Sequence, residues 1–136
     1  MAINFLSTMM LAACTNGNPD KSELSVIKNF MEVYKPLRKY SQGDLDQAMK
    51  VIMAKKKLKV KDKHIIEDLG EEFSKAEKDT AFALAAEVCA SNFMFTDEEI
   101  KLLELLKDTW AISKTTHRTV FNSIEMRYNT KYGVSE

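Results

Sequence analysis

The fold class is decided by residues 96–110, which read TDEEIKLLELLKDTW. Apolar residues recur there at intervals of three and four, the spacing of one helix face. They are Ile100, Leu103, Leu106 and Trp110, with a second row at Leu102 and Leu105. Thr96 and Glu99 have the three-residue separation of a capping box, which begins a helix. The stretch predicts a helix over 97–111 with a wide buried face.

Composition extends the helical prediction to the whole chain. Its 136 residues include only four Gly and two Pro, whereas average usage of about 12% would give roughly 16. Hydrophobic residues make up 45%, enough for a core, and the 20 basic residues balance the 20 acidic ones. We expect one all-α domain over residues 1–136 and no nucleic-acid partner, since no basic excess is present. The predicted helices are 3–15, 20–37, 43–56, 62–76, 78–91, 97–111 and 115–131.

The chain also contains an internal repeat. Shifting the sequence against itself by 76 residues keeps apolar positions in phase over three helices and one polar loop. The aligned pairs include Leu6 with Phe82, Ala13 with Cys89, Ile27 with Leu103 and Ala48 with Ile124. This offset predicts two pseudo-symmetric helical units, approximately 1–56 and 77–132. The helix at 62–76 bridges them, and it has an acidic outer face and follows a Lys-rich run at 55–63.

Each copy carries a polar loop that runs from an Asn to a Glu seven residues later. The first reads NGNPDKSE over 16–23 and the second NFMFTDEE over 92–99. Helix capping by Asp20 with Glu23, and by Thr96 with Glu99, is one explanation for these residues. The oxygen-rich side chains of the first loop also suit Ca²⁺, Mg²⁺ or Mn²⁺. The spacing is not that of an EF-hand, whose twelfth-position Glu would fall on Ile27.

Other residues carry little chemistry. Cys14 and Cys89 lie in apolar surroundings and are predicted to be buried thiols, with a disulfide left open. His64 is predicted to be solvated at a helix start. Leu11-Ala12-Ala13-Cys14 has the small-residue pattern of a lipoprotein cleavage site, but no Lys or Arg precedes it, so a cytoplasmic protein is expected instead. No motif for a nucleophile, a phosphate loop or a dinucleotide site occurs, and we expect no enzyme activity.

The two loops resemble the TerB-like family of small helical proteins from bacterial tellurite-resistance operons. The resemblance rests on two stretches of sequence. The first runs from residues 12–17 to Glu23, and the second from residues 90–92 to Ile100. It implies a role in the response to toxic oxyanions, with a metal ion held by acidic loops. Asn16 and Asn92 stand where the family has Asp, and Phe93 replaces its Gly, which weakens the transfer of the metal site. Glu23 and Glu99 are the positions that match best.

The sequence therefore predicts a non-enzymatic stress-response protein with a divalent metal ion at its loops. The candidate ligands are Asn16, Asn18, Asp20, Glu23, Asn92 and Glu99. The alternative is a protein-interaction module without a metal site, which would use the acidic helix or the Lys run. A protein partner is expected in either case, and a homodimer is left open. The Lys run also suits contact with anionic lipid at the inner membrane.

Overall fold

A computed structural model describes residues 3–92 and 95–128, without the side chains of residues 92 and 126–128. Within these ranges the chain forms seven α-helices, two short 3₁₀ helices and no strand, which confirms the all-α class. The α-helices are α1 (Asn4–Ala13), α2 (Lys21–Val33), α3 (Gln42–Lys57), α4 (Asp62–Gly70), α5 (Lys75–Cys89), α6 (Asp97–Thr109) and α7 (Lys114–Tyr128). The 3₁₀ helices are Lys35–Leu37 and Ala90–Asn92.

Capping boxes set where four of these helices begin. In each box the N-cap side chain accepts a hydrogen bond from the third helical amide, and the third side chain accepts one from the N-cap amide. The pairs are Asp20 with Glu23, Ser41 with Asp44, Ser74 with Glu77 and Thr96 with Glu99. The box at Ser74 explains one wrong prediction. The helix expected over 62–76 ends at Gly70, and α5 begins at Lys75 instead of residue 78.

The second helix is also shorter than predicted. We expected it to continue to residue 37, but α2 ends at Val33 and a 3₁₀ turn follows at Lys35–Leu37. Pro36 explains the difference, because inside an α-helix its nitrogen donates no hydrogen bond and its ring clashes with the carbonyl four residues earlier. Leu37 is nevertheless buried, so the turn still contributes to the core.

The core is built around α1, whose residues from Leu6 to Ala13 are all buried. Such a helix, covered on every side, belongs at the centre of a domain. It packs mainly against α5 and α3, while α5 also contacts α2, α6 and α7. Cleavage before Cys14, as in a lipoprotein, would remove this central helix. No helix in the described ranges is long and apolar enough to span a membrane.

Packing follows the order expected from the repeat. The first helices of the two copies, α1 and α5, lie against each other, and each contacts the two later helices of its own copy. Aligned positions such as Leu6 and Phe82, or Ala48 and Ile124, are buried in both copies. The internal repeat itself remains a prediction about the origin of the chain.

Trp110, at the end of α6, packs against α4 and forms a hydrogen bond with it. Its indole Nε1 donates a buried hydrogen bond of 3.0 Å to the Ile66 carbonyl, and its ring meets Phe73 edge-on at 5.7 Å. Phe73 in turn stacks on Phe5 of α1 at 4.9 Å. Gly70 makes this approach possible, because a Cβ there would overlap Trp110 Nε1 and lie 3.0 Å from Cδ1.

We expect Gly70→Ala to lower the free energy of unfolding by about 2 kcal/mol, because the added methyl group displaces the Trp110 ring. Urea denaturation followed by circular dichroism measures the change. Gly43→Ala is the matched control, since a Cβ there meets only Ser41 Oγ at 3.5 Å. That control is expected to raise stability by up to about 0.5 kcal/mol. Equal effects of the two substitutions would refute the close contact.

Candidate functional site

The two polar loops meet in space although they are 76 residues apart in the repeat. The Asn16 side-chain amide donates to Thr96 Oγ1 across 3.5 Å, which joins the first loop to the start of α6. Gly17 makes the turn after α1 with a φ of +115°, a conformation that favours glycine. Its amide donates to the Cys14 carbonyl at 3.1 Å. The turn thus directs the first loop towards the second.

Glu23 and Glu99, the matching glutamates of the two copies, are buried at this junction. Glu23 is 5% exposed and Glu99 is 1% exposed. Each has one carboxylate oxygen fixed by its N-cap amide, from Asp20 to Glu23 Oε1 and from Thr96 to Glu99 Oε1, both at 2.9 Å. The capping boxes therefore hold two carboxylates in defined positions inside the protein.

The second carboxylate oxygen of Glu99 has no hydrogen-bond partner in the part of the chain that the structure describes. This atom, Oε2, is buried. A buried polar atom without a partner is destabilising, and more so when it carries charge. Ser91 Oγ, in the 3₁₀ turn before the second loop, is the other buried side-chain atom in the described ranges without a partner. Among the described residues, the junction therefore leaves two buried oxygen atoms without a hydrogen bond.

Burial and neighbouring negative charges both raise the pKa values of the carboxyl groups at the junction. Burial raises the pKa of Glu23, and the charges of Asp20 and Glu99 raise it further, while the hydrogen bond from the Asp20 amide opposes them. Burial likewise raises the pKa of Glu99, with Asp20 and Glu98 adding to the effect and the hydrogen bonds with Thr96 opposing it. The folded protein thus disfavours the ionised form of both carboxyl groups.

Cys89 is close enough to the same two glutamates for their charges to affect its thiol. It is fully buried at the end of α5. Burial raises the pKa of its thiol well above the ordinary value, and the charges of Glu99 and Glu23 add to the effect. Cys14 is buried as well, and burial raises its pKa too. Both cysteines are free, which confirms the prediction of buried thiols.

The other predicted ligands are distributed around this pair. Asp20 is close enough to affect Glu99 electrostatically, but its Oδ1 already accepts from the Glu23 amide and the Ser22 hydroxyl. Asn16 and Asn18 are exposed, and Asn18 lines a groove beside α3. The side chain of Asn92 lies outside the described residues. Within the described part of the chain, no three His, Cys, Asp or Glu side chains are arranged to hold a metal ion.

The depth of the two glutamates was not anticipated, although the helical spacing contained the signal. Glu99 is four residues before Leu103 and seven before Leu106, so it lies on the buried face of α6. Ile100, which the sequence placed in that row, lies about 100° around the helix from Glu99 and is 42% exposed. Its placement on the buried face was wrong. Glu23 precedes buried Ile27 by the same four residues.

His64, in contrast, is exposed in the first turn of α4, as predicted.

Comparisons with known proteins find no match to a family model, to a curated protein or to a solved structure. The TerB-like resemblance therefore remains a prediction, and it rests on the loops from Asn16 to Glu23 and from Asn92 to Glu99.

Proposed function

We propose that this chain is a non-enzymatic, TerB-like stress-response protein that binds a divalent cation between Glu23 and Glu99. The observation that carries the proposal is the buried Oε2 of Glu99, which has no partner among the described residues and belongs to a carboxylate whose charge affects the buried Glu23. A cation there would be coordinated by that oxygen. It would also offset two negative charges in a medium of low dielectric constant. The part played in the response to toxic oxyanions rests on the family resemblance alone.

The donor set favours a small, hard cation. Both glutamates offer carboxylate oxygen, the ligand type of Mg²⁺, Mn²⁺ and Ca²⁺. Mg²⁺ often keeps several waters and binds one or two protein carboxylates, whereas Ca²⁺ takes six to eight oxygens, most of them from protein. Two carboxylates with water therefore fit Mg²⁺ or Mn²⁺ better than Ca²⁺. Glu23 and Glu99 would hold the ion, and the Asn16 amide oxygen is within the same pair of loops.

Binding at this junction would stabilise the contact between the two copies of the repeat. Glu23 lies in the first turn of α2 and Glu99 in the first turn of α6, so an ion shared by them would connect one helix of each copy. The first loop already contacts the second through Asn16 and Thr96. A cation would make that contact dependent on metal concentration, which is a simple way for a helical domain to respond to its surroundings.

The first prediction concerns the protein without metal. We expect Glu99→Gln, measured in a chelator at pH 7, to raise the free energy of unfolding by about 1 kcal/mol. Gln keeps the capping hydrogen bond, loses the charge and can donate to Glu23. Because the pKa of Glu99 is raised in the folded protein, its carboxyl group contributes stability that is fully present below the unfolded pKa of about 4.3. That stability is lost as the pH rises through the folded pKa.

The advantage of the Gln variant is therefore expected to shrink as the pH is lowered from 7 towards 4. Urea denaturation at a series of pH values measures it. Glu77→Gln provides the control, because Glu77 has the same place in the Ser74 capping box but is exposed. It is expected to change stability by less than about 0.5 kcal/mol at every pH. A gain at Glu99 that does not vary with pH would contradict the buried charge.

The second prediction concerns the metal itself. Mg²⁺ or Mn²⁺ is expected to raise the melting temperature of the wild-type protein, because a ligand that binds only the folded state stabilises it; at a hundredfold excess over the dissociation constant the gain is about 2.7 kcal/mol. The double variant Glu23→Gln plus Glu99→Gln is expected to show no increase. The Glu77→Gln protein should respond like the wild type.

Melting curves with chelator, Mg²⁺, Mn²⁺ and Ca²⁺ decide the question. An absent response to all three ions, or an equal response in the double variant, would reject the metal site. The interaction module without metal would then be the better description, with the glutamates serving only as caps.

A further inference from the structure

The turn between α3 and α4 is rich in lysine and exposes one large apolar side chain. It is not part of the carboxylate junction. We call residues 55–63 the lysine tip; they read KKKLKVKDK. We propose that the lysine tip docks on the surface of a lipid bilayer containing anionic lipids, with its lysines at the headgroups and Leu58 inserted below them. This inference goes beyond the cation site and does not depend on it.

Leu58 occupies a fixed and exposed position. It is 77% exposed, the most exposed of the large apolar side chains in the described ranges. The turn around it is closed by hydrogen bonds from the Lys59 amide to the Lys56 carbonyl and from the Val60 amide to the Lys55 carbonyl, both 3.0 Å. Lys59 has a φ of +62°, a left-handed conformation that is uncommon for a residue with a side chain. The chain thus keeps an apolar side chain at the outside of an ordered turn.

Most of the lysines around Leu58 are not used by the fold. Lys56 pairs with Asp62 at 3.3 Å, and Lys55 reaches Asp68 at 4.0 Å. The other four form no ion pair with any described residue; they are Lys57, Lys59, Lys61 and Lys63. Four lysines without an ion pair to any described residue therefore lie within five residues of one exposed apolar side chain.

Helix electrostatics explain only some of these lysines. Lys55, Lys56 and Lys57 occupy the last turn of α3, where positive charge is favourable. Lys61 is the N-cap of α4 and Lys63 lies in its first turn, where the helix dipole disfavours positive charge. Their position does not help α4, so an external anionic surface accounts for them better than the fold does.

A groove beside the lysine tip adds a second apolar element. It has a volume of about 420 Å³ and is lined by Met53 and Ala54 of α3, with Lys56 and Lys57 among its other lining residues. Lipid combines the same two features, since an anionic headgroup adjoins an apolar chain. A nucleic acid would supply the charge but would leave Leu58 and the groove uncovered. The pairing of charge with apolar surface therefore favours a bilayer.

The test uses the full chain and vesicles of phosphatidylcholine, with or without about 25% phosphatidylglycerol as the anionic lipid. We expect sedimentation with the anionic vesicles only, in the presence of chelator, and loss of binding when the salt is raised to about 0.5 M. Lys59→Gln plus Lys63→Gln is expected to weaken binding about 25-fold, because each lysine at such a surface contributes about fivefold. Leu58→Asn should weaken it about tenfold and leave the salt dependence unchanged.

Lys28→Gln plus Lys101→Gln is the matched control, since both lysines are exposed on other helices and the net charge changes equally. It is expected to bind vesicles like the wild type. Unchanged melting temperatures would show that all variants fold. The proposal is overturned by equal binding to neutral vesicles, by an equal loss in the control, or by an RNA duplex that binds more tightly than the vesicles and is indifferent to Leu58→Asn. Failure here would leave the melting response to metal untouched.

Discussion

The hydrogen bond from the Thr96 amide to the Glu99 carboxylate is the interaction on which the site depends, together with its counterpart from Asp20 to Glu23. It begins a helix and, at the same time, fixes a charged side chain on the buried face of that helix. Capping boxes at exposed positions, such as the one formed by Ser74 and Glu77, satisfy the same backbone groups without burying charge. The junction between the loops thus differs from an ordinary helix start in depth, not in local geometry. Its depth follows from the packing of α1 and α5, which brings the two loops together.

Much of the fold could be predicted from local sequence, and the exceptions have identifiable causes. The capping residues Asp20 and Thr96 mark helix starts within a few neighbouring residues, so the starts of α2 and α6 were predicted to within one residue. The end of α4 and the start of α5 were not, although the Ser74 capping box that begins α5 is equally local in the sequence. The convergence of Glu23 and Glu99, in contrast, depends on tertiary packing. Their burial, however, follows from their spacing to Ile27 and Leu103. Helical periodicity predicts it when the charged residues on the apolar face are included in the pattern.

The net charge of zero conceals a spatial separation. Negative charge is buried in the core at Glu23 and Glu99, whereas positive charge is concentrated on an exposed turn around Leu58. Charges of opposite sign in different environments do not simply cancel, because water and salt screen the exposed charges strongly and the buried charges much less. Each region therefore retains its own chemistry, and the overall balance says little about either. The acidic outer residues of α4, among them Glu67 and Asp68, are exposed and follow the lysine tip in the chain.

The reactivities of the two buried cysteines together report how often the folded domain opens. Cys14 and Cys89 lie at the ends of α1 and α5, the helices at its centre. Cys89 is completely buried, whereas Cys14 is 3% exposed and lines the groove beside α3. A thiol reagent can reach Cys89 only when the surrounding helices separate, so its rate of modification in the native protein reports how often the core opens. The rate at Cys14 reports access through the groove, and the two rates together distinguish events at the surface from opening of the core.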